Sequence, residues 1–494
     1  AVIPDFLMKP LTSQPELSSF RRWWTQPCGG REVLGLALPL VLSTASWTIM
    51  HFVDRVFLTW YSTEAIAAAM PAGMLHFSML CFPLGLVGYI NTFVAQYYGA
   101  GRKHRIGLVV WQGIWLGMLS IPAFLLLIPV APWIFAMAGH GEQIAELETT
   151  YFQTLAWGAG GAVVSAALAA FFTGLGHARV VLVVDSSAAI LNLILDYLLI
   201  FGISPFPELG IFGAGIATSI SQWAKVVAYF LIIYRREFRV PYRLVEGLRL
   251  DWSLLRRVFK FGGPSGFQLF FETIAFTAFL FLMGRLGQTA LAATTIAFSV
   301  NSFAFVPMLG LGIAVTTLVG QQLGRNDPLL AERATWVAFL LGGLYVGTMA
   351  LLYLLVPSLF LSAHAAGSNP ADFQELQRIC TVLLRFVALY CLFDMTHIVF
   401  VSAIKGAGDT RFVLIITLIV SPVPVVLGYF GTKQWNWSLN TFWFVITAWI
   451  CGLGIIYLAR FWQGKWQTMR VIEPDPKETV APAGELLPAS GKSA

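Results

Sequence analysis

Residues 39–99 read PLVLSTASWTIMHFVDRVFLTWYSTEAIAAAMPAGMLHFSMLCFPLGLVGYINTFVAQYYG, and residues 264–324 read PSGFQLFFETIAFTAFLFLMGRLGQTALAATTIAFSVNSFAFVPMLGLGIAVTTLVGQQLG. Shifted by 225 positions, the two stretches align without a gap and share 14 identities in 61 positions. Pro39 meets Pro264, Gly85 meets Gly310, Gln96 meets Gln321 and Gly99 meets Gly324. Apolar sequence produces a few chance matches, but not proline, glutamine and glycine at fixed spacing. The chain therefore reads as two copies of one bundle, with function expected at their junction.

Composition says where that bundle lives. Of 494 residues, 57% are hydrophobic and only 11% charged, against about 25% charged in a soluble domain. Mean hydropathy is +0.74. Apolar runs near the roughly 20 residues of a membrane-spanning helix recur along the chain, and the alternation of a membrane barrel is absent. Twelve spans are predicted, near 33–53, 65–98, 107–130, 150–173, 178–201, 211–234, 258–284, 289–322, 335–361, 379–403, 411–431 and 441–461. The two longest, 65–98 and 289–322, are expected to include an interfacial turn. Six spans per half is an even number, so both halves enter in the same orientation. The expected fold is all-α, two six-helix lobes related by a pseudo-two-fold along the membrane normal.

Charge placement orients it. Arg102, Lys103, Arg105, Arg179, Arg325, Arg333, Lys405 and Arg411 fall in or beside alternate loops, whereas Glu64, Glu142, Glu146, Glu148, Glu208, Asp372 and Glu375 fall on the other side. The basic side is expected to be cytoplasmic, with both termini there, in the cell (inner) membrane. The net charge of +6 is thus a topology signal rather than a nucleic-acid footprint. The segments read as a cytoplasmic stretch 1–30, an N-lobe 31–234, a basic linker 235–257, a C-lobe 258–465 and a Pro- and Glu-rich tail 466–494 expected to be disordered. The linker is either a strap on anionic lipid or a plain charged connector. The first thirty residues are polar and proline-interrupted, unlike a cleavable signal, so insertion is expected to rely on the first span. The cysteines show no metal-ligand spacing and read as small buried hydrophobes.

A carboxylate near the bilayer centre costs about 2.5–3.5 kcal/mol on insertion scales, so each one invites a function. Asp54, Asp185, Asp196, Glu272 and Asp394 fall within spans, as do Lys225 and Arg385. Asp185 and Lys225 are predicted at similar depth on neighbouring helices, as a structural ion pair. Asn192 and Asp196 are four apart, on one helical face. With Asp54 and Thr218 they form an all-oxygen set suited to a hard cation. Without a cation, two carboxylates drawn together repel, and one takes a proton; the group can thus hold Na+ or H+. His51, one turn before Asp54, is a candidate for proton sharing, and Arg55 for a gate pair. Glu272 and Asp394 are isolated acids among aromatics, a setting that attracts organic cations.

These residues resemble the multidrug and toxic compound extrusion (MATE) family, over about residues 31–465. The motifs are Leu38-Pro39 with Asp54 fifteen residues after the proline, Asn192-Leu-Ile-Leu-Asp196, Gly213-Ala-Gly-Ile-Ala-Thr218, Val319-Gly-Gln-Gln-Leu-Gly324 and Lys405-Gly-Ala-Gly-Asp-Thr-Arg411. The resemblance implies a cation site at Asp54, Asn192, Asp196 and Thr218, and a helix bend at Pro39. Acids in the seventh and tenth helices, here Glu272 and Asp394, mark the NorM-type branch. The helix 1 motif departs at Arg55-Val-Phe-Leu-Thr, and Lys225 is unusual. The implied activity is antiport: Na+ or H+ in, amphipathic and mostly cationic organic compounds out, by a monomer in membrane lipid that needs no cofactor. An alternative keeps the fold and flips or exports a lipid-linked or other metabolite. An integral-membrane enzyme is disfavoured, because the seven histidines are scattered and none makes a catalytic motif.

Overall fold

The computed structural model describes residues 19–138, 141–361 and 370–474. Residues 1–18 and the tail from 475 onward lie outside them. Twelve helices are long and apolar enough to cross a membrane. They are α1 Gly30–Tyr61, α2 Thr63–Gly99, α3 Lys103–Leu127, α4 Glu142–Gly174, α5 Ala178–Phe201, α6 Gly210–Ile233, α7 Trp252–Gly284, α8 Gln288–Gly324, α9 Pro328–Leu355, α10 Gln374–Ala407, α11 Thr410–Lys433 and α12 Leu439–Trp462. No strand occurs among the described residues. Polar residues set several starts. Ser62 accepts the Ala65 N–H at 2.9 Å, Asp327 accepts that of Leu330 at 3.0 Å, and Asp251 accepts those of Ser253 and Leu254 at 3.0 and 3.1 Å. Each side chain thereby satisfies a first-turn donor that the helix leaves open.

Of the two long apolar runs, only the second differs from expectation. A turn at Tyr89 breaks α2, whereas α8 has none and runs unbroken through Pro307. Each spans 37 residues, roughly 55 Å at 1.5 Å per residue, longer than the hydrocarbon core. The two helices meet at the basic end. There the repeat becomes geometry. A Cβ on Gly99 would collide with the Gln321 carbonyl, and one on Gly324 with the Gln96 carbonyl. Deeper in, a Cβ on Gly85 would come within 2.7 Å of Gly266, and one on Gly310 within 2.5 Å of Val41. Each contact is the other's partner under the 225-residue shift, as a two-fold axis between the lobes requires. Only glycine lets the backbones approach this closely. Hydrogen bonds seal the same end: Tyr89 to the Lys405 carbonyl at 2.7 Å, Gln96 to that of Gly406 at 3.0 Å, and Gln321 to that of Gly174 at 2.8 Å.

The basic linker turns its apolar side to the protein. Phe238 and Tyr242 pack edge-on to Phe171. The Trp111 indole donates to the Leu244 carbonyl at 2.8 Å, and the Gly107 N–H to that of Tyr242 at 3.0 Å. The helix α7 begins at Trp252, inside the segment read as linker.

The start of the tail also differs. Trp466 is buried and stacks on Phe461 at 4.7 Å. The Val471 N–H donates to Gln96 Oε1 at 2.8 Å. The Glu473 carboxylate accepts from Tyr97 at 2.7 Å, Arg105 at 2.8 Å and Arg257 at 3.0 Å. Residues 465–474 therefore strap the basic end across both lobes, through apolar and charged side chains that bulk composition concealed.

Candidate cation and substrate sites

In the N-lobe, α1, α5 and α6 bring Asp54, Asn192, Asp196 and Thr218 together, all buried. Spacings of four and seven residues hold a polar stripe on one face of α5, through Asp185, Asn192 and Asp196. With its amide oriented to satisfy its neighbours, Asn192 donates to Asp54 Oδ1 at 3.0 Å and to Asp196 Oδ2 at 3.2 Å. Its oxygen accepts from the Thr218 backbone N–H at 3.2 Å, and the Thr218 hydroxyl lies 3.5 Å from the same amide. The expected all-oxygen set thus presents an amide NH2, not an oxygen, to the acids. Asp54 Oδ2 and Asp196 Oδ1 are buried without a hydrogen-bond partner, acceptors to spare for a proton or a small cation.

His51 reaches the site, with Nδ1 3.6 Å from Asp54 Oδ2 and its ring held edge-on to Trp47 at 4.7 Å. Arg55 does not: it is exposed and forms no ion pair with Asp54, because adjacent helix positions point about 100° apart. Tyr151 of α4, close enough to feel both carboxylates, was missed by sequence reasoning. It carries no charge, and its helix shows no motif. Pro39 lies within α1, one turn from Ser43.

Toward the basic end of the same three helices lies a second polar tier. Lys225 Nζ is 3.1 Å from Asp185 Oδ1. Ser43 donates to the other carboxylate oxygen at 2.5 Å, and Tyr229 to Oδ1 at 3.3 Å. The expected ion pair forms, with two hydroxyl donors added.

The C-lobe acids sit otherwise than among bare aromatics. Glu272 Oε1 accepts from Gln268 at 3.1 Å and from Thr417 at 3.3 Å, and Lys405 Nζ donates to Gln268 Oε1 at 3.1 Å. Asp394 is buried, 3.6 Å from His397 Nδ1. His397 stacks on Tyr457 at 5.2 Å, and Tyr457 lies near Glu272. The two acids do not bond each other; His397, Tyr457 and Thr417 stand between them. Sequence reasoning missed all four: Gln268 and His397 lie four and three residues from these acids on α7 and α10, a spacing that could have flagged them, whereas Thr417 and Tyr457 are lone polar residues on separate helices. Among the described residues, no group of three or more His, Cys, Asp or Glu could hold a metal ion.

Known proteins are similar to this chain in sequence and in fold. A family model described as MatE matches residues 39–198 and 264–430, two stretches that open on the proline pair of the repeat. A probable multidrug resistance protein NorM of Bradyrhizobium diazoefficiens is 32% identical over 391 residues, 78% of this chain and 82% of its own. One of Mesorhizobium japonicum is 31% identical over 408 residues, 81% and 85% of the respective chains. A solved outward-facing multidrug resistance MATE family transporter of the MOP superfamily superposes with a TM-score of 0.81 at 18% identity, over 92% of this chain and all of the other. The chain belongs to the MatE family of multidrug and toxic compound extrusion transporters, on its NorM-type branch, and is a membrane transporter rather than an enzyme.

Proposed function

We propose that the protein is a cation-coupled antiporter that exports amphipathic, mostly cationic organic compounds. One observation carries the reading: two buried acids of α1 and α5 share a single amide, each with an unpartnered oxygen. Their repulsion is relieved by a proton or by Na+. The amide NH2 bridges the carboxylates, and turning it over would add its oxygen to those of the acids and Thr218 around a cation. The lobes, sealed at the basic end, rock about the junction as the site loads and empties. An inward charge gains about 2.3 kcal/mol per 100 mV, enough for a tenfold or larger gradient of cargo at about 1.4 kcal/mol per tenfold. The acids of the C-lobe, Glu272 and Asp394, receive the organic cation.

The basic loops support a cytoplasmic position for the sealed end and both termini, in the inner membrane. Both lobes and both sites lie in one chain, so a monomer suffices. Lipid-linked cargo is the weaker reading. A pyrophosphate needs a cluster of basic side chains, whereas only Arg385 and Lys225 fall at membrane depth and Lys225 is engaged by Asp185. The test is ethidium efflux in proteoliposomes under separately imposed pH and Na+ gradients. Asp54→Asn and Asp196→Asn should each abolish gradient-driven efflux at normal expression; undiminished transport in both defeats the assignment.

A further inference from the structure

Lys405 stands in the last turn of α10, at the seam between the lobes. The segment Gly174-Leu-Gly176-His-Ala-Arg179 corresponds to Gly406-Ala-Gly408-Asp-Thr-Arg411, which puts Thr173 where the C-lobe has Lys405. Thr173 makes a neutral hydrogen bond to Asn91 at 3.1 Å. The C-lobe therefore holds an ammonium that its sister lobe lacks. That ammonium donates to Gln268 Oε1 at 3.1 Å, and the same amide donates through Nε2 to Glu272 Oε1 at 3.1 Å. Cation, amide and carboxylate form one hydrogen-bonded chain. The N-lobe fixes its inner end, since Tyr89 bonds the Lys405 carbonyl at 2.7 Å and Gln96 that of Gly406 at 3.0 Å.

A carboxylate within a membrane protein needs a counter-charge or a proton. Here the chain carries its own cation beside the acid assigned to cargo, through one polarised amide. A cationic substrate arriving at Glu272 competes with this tethered ammonium, and only the surplus of its interaction appears as affinity. Because the inner end of the tether is bonded to the other lobe, opening the basic end also frees the tether. We propose that Lys405 is the built-in counter-cation of Glu272, a specificity-determining residue that a monovalent organic cation displaces when it binds. The inference rests on the reading that the C-lobe acid takes the exported cation.

The experiment is equilibrium binding of tetraphenylphosphonium to the purified full chain. Lys405→Met should tighten binding by about tenfold or more, the loss of one competing charge that reaches the acid through a single amide. Lys405→Arg should stay near wild type, and Gln268→Leu, which cuts the bridge, should move affinity in the same direction as Lys405→Met by a smaller factor. The gain must vanish when Lys405→Met is made on Glu272→Gln. Unchanged or weaker binding by Lys405→Met, or equal tightening without the acid, overturns the proposal. Should Lys405→Met fail to fold, an indifferent Gln268→Leu overturns it equally. Binding by wild type with indifferent variants defeats this inference alone, whereas no binding by any protein defeats the export reading and this inference with it.

Discussion

Breaking the Asp185–Lys225 pair should reveal how this membrane interior tolerates charge. The ion pair spans 3.1 Å, and its side chains are 18% and 20% exposed, so water screens it little. Removing one partner of a buried pair costs about 3–5 kcal/mol, because the other charge is left uncompensated. The two removals are not equivalent here. In Lys225→Met, Asp185 keeps the hydroxyl donors of Ser43 and Tyr229, and the loss should fall to about 2 kcal/mol. In Asp185→Leu, the ammonium has no second acid within ion-pair reach among the described residues, and the loss should be about 3 kcal/mol. The double variant removes both charges but strands two hydroxyls, so it should cost no more than the worse single. The coupling is then about 2–3 kcal/mol. Unfolding of the purified protein by SDS titration in mixed micelles measures all three. A double variant whose loss equals the sum of the singles would refute the pairing. As a structural pair, it should also leave gradient-driven efflux intact in the double variant.

Gly99→Ala and Gly324→Ala should each lower stability by about 1–3 kcal/mol, since the atom met is a backbone carbonyl that cannot swing aside; in thermal scans Gly73→Ala, with nothing within 4 Å, should not. The strap should weaken in acid. Burial raises the Glu473 carboxyl, but donation from Tyr97 and the charge of Arg105 outweigh it and hold the group below its ordinary 4.5. Its contribution is complete above that unfolded value and is lost as pH falls through the lower folded one; in Glu473→Gln the acid-side fall in stability should shrink, and an identical profile would exclude the group. Burial, then Glu32, pushes the Cys28 thiol up to about 12. Mass spectrometry should find Cys28 unmodified by maleimide at neutral pH until the protein is denatured.

Legibility tracked the physics of each signal. Asp54 and Asp196 stood out because charge in an apolar run is costly whatever surrounds it, and Asn192 because a four-residue spacing fixes a shared face. Tyr151, Thr417 and Tyr457 were silent, being neutral residues whose meaning depends on the helix opposite; Gln268 shares a helical face with Glu272, but its link to Lys405 comes from a distant helix. Arg55 misled, since adjacency in sequence is divergence on a helix. The strap around Glu473 was hidden because tail composition averages over the few side chains that dock.

Hydrophobic run length, alternating loop charge and a 225-residue echo determined by themselves that this chain crosses the membrane as paired six-helix halves. Those are one-dimensional properties, enforced by bilayer thickness and by the price of an unpaired backbone in hydrocarbon. Which way the Asn192 amide faces, that Lys405 reaches Glu272 through Gln268, and that residues 465–474 close the basic end were decided only by tertiary structure. Each depends on side chains from distant helices meeting within about 3 Å, a distance that sequence separation does not encode.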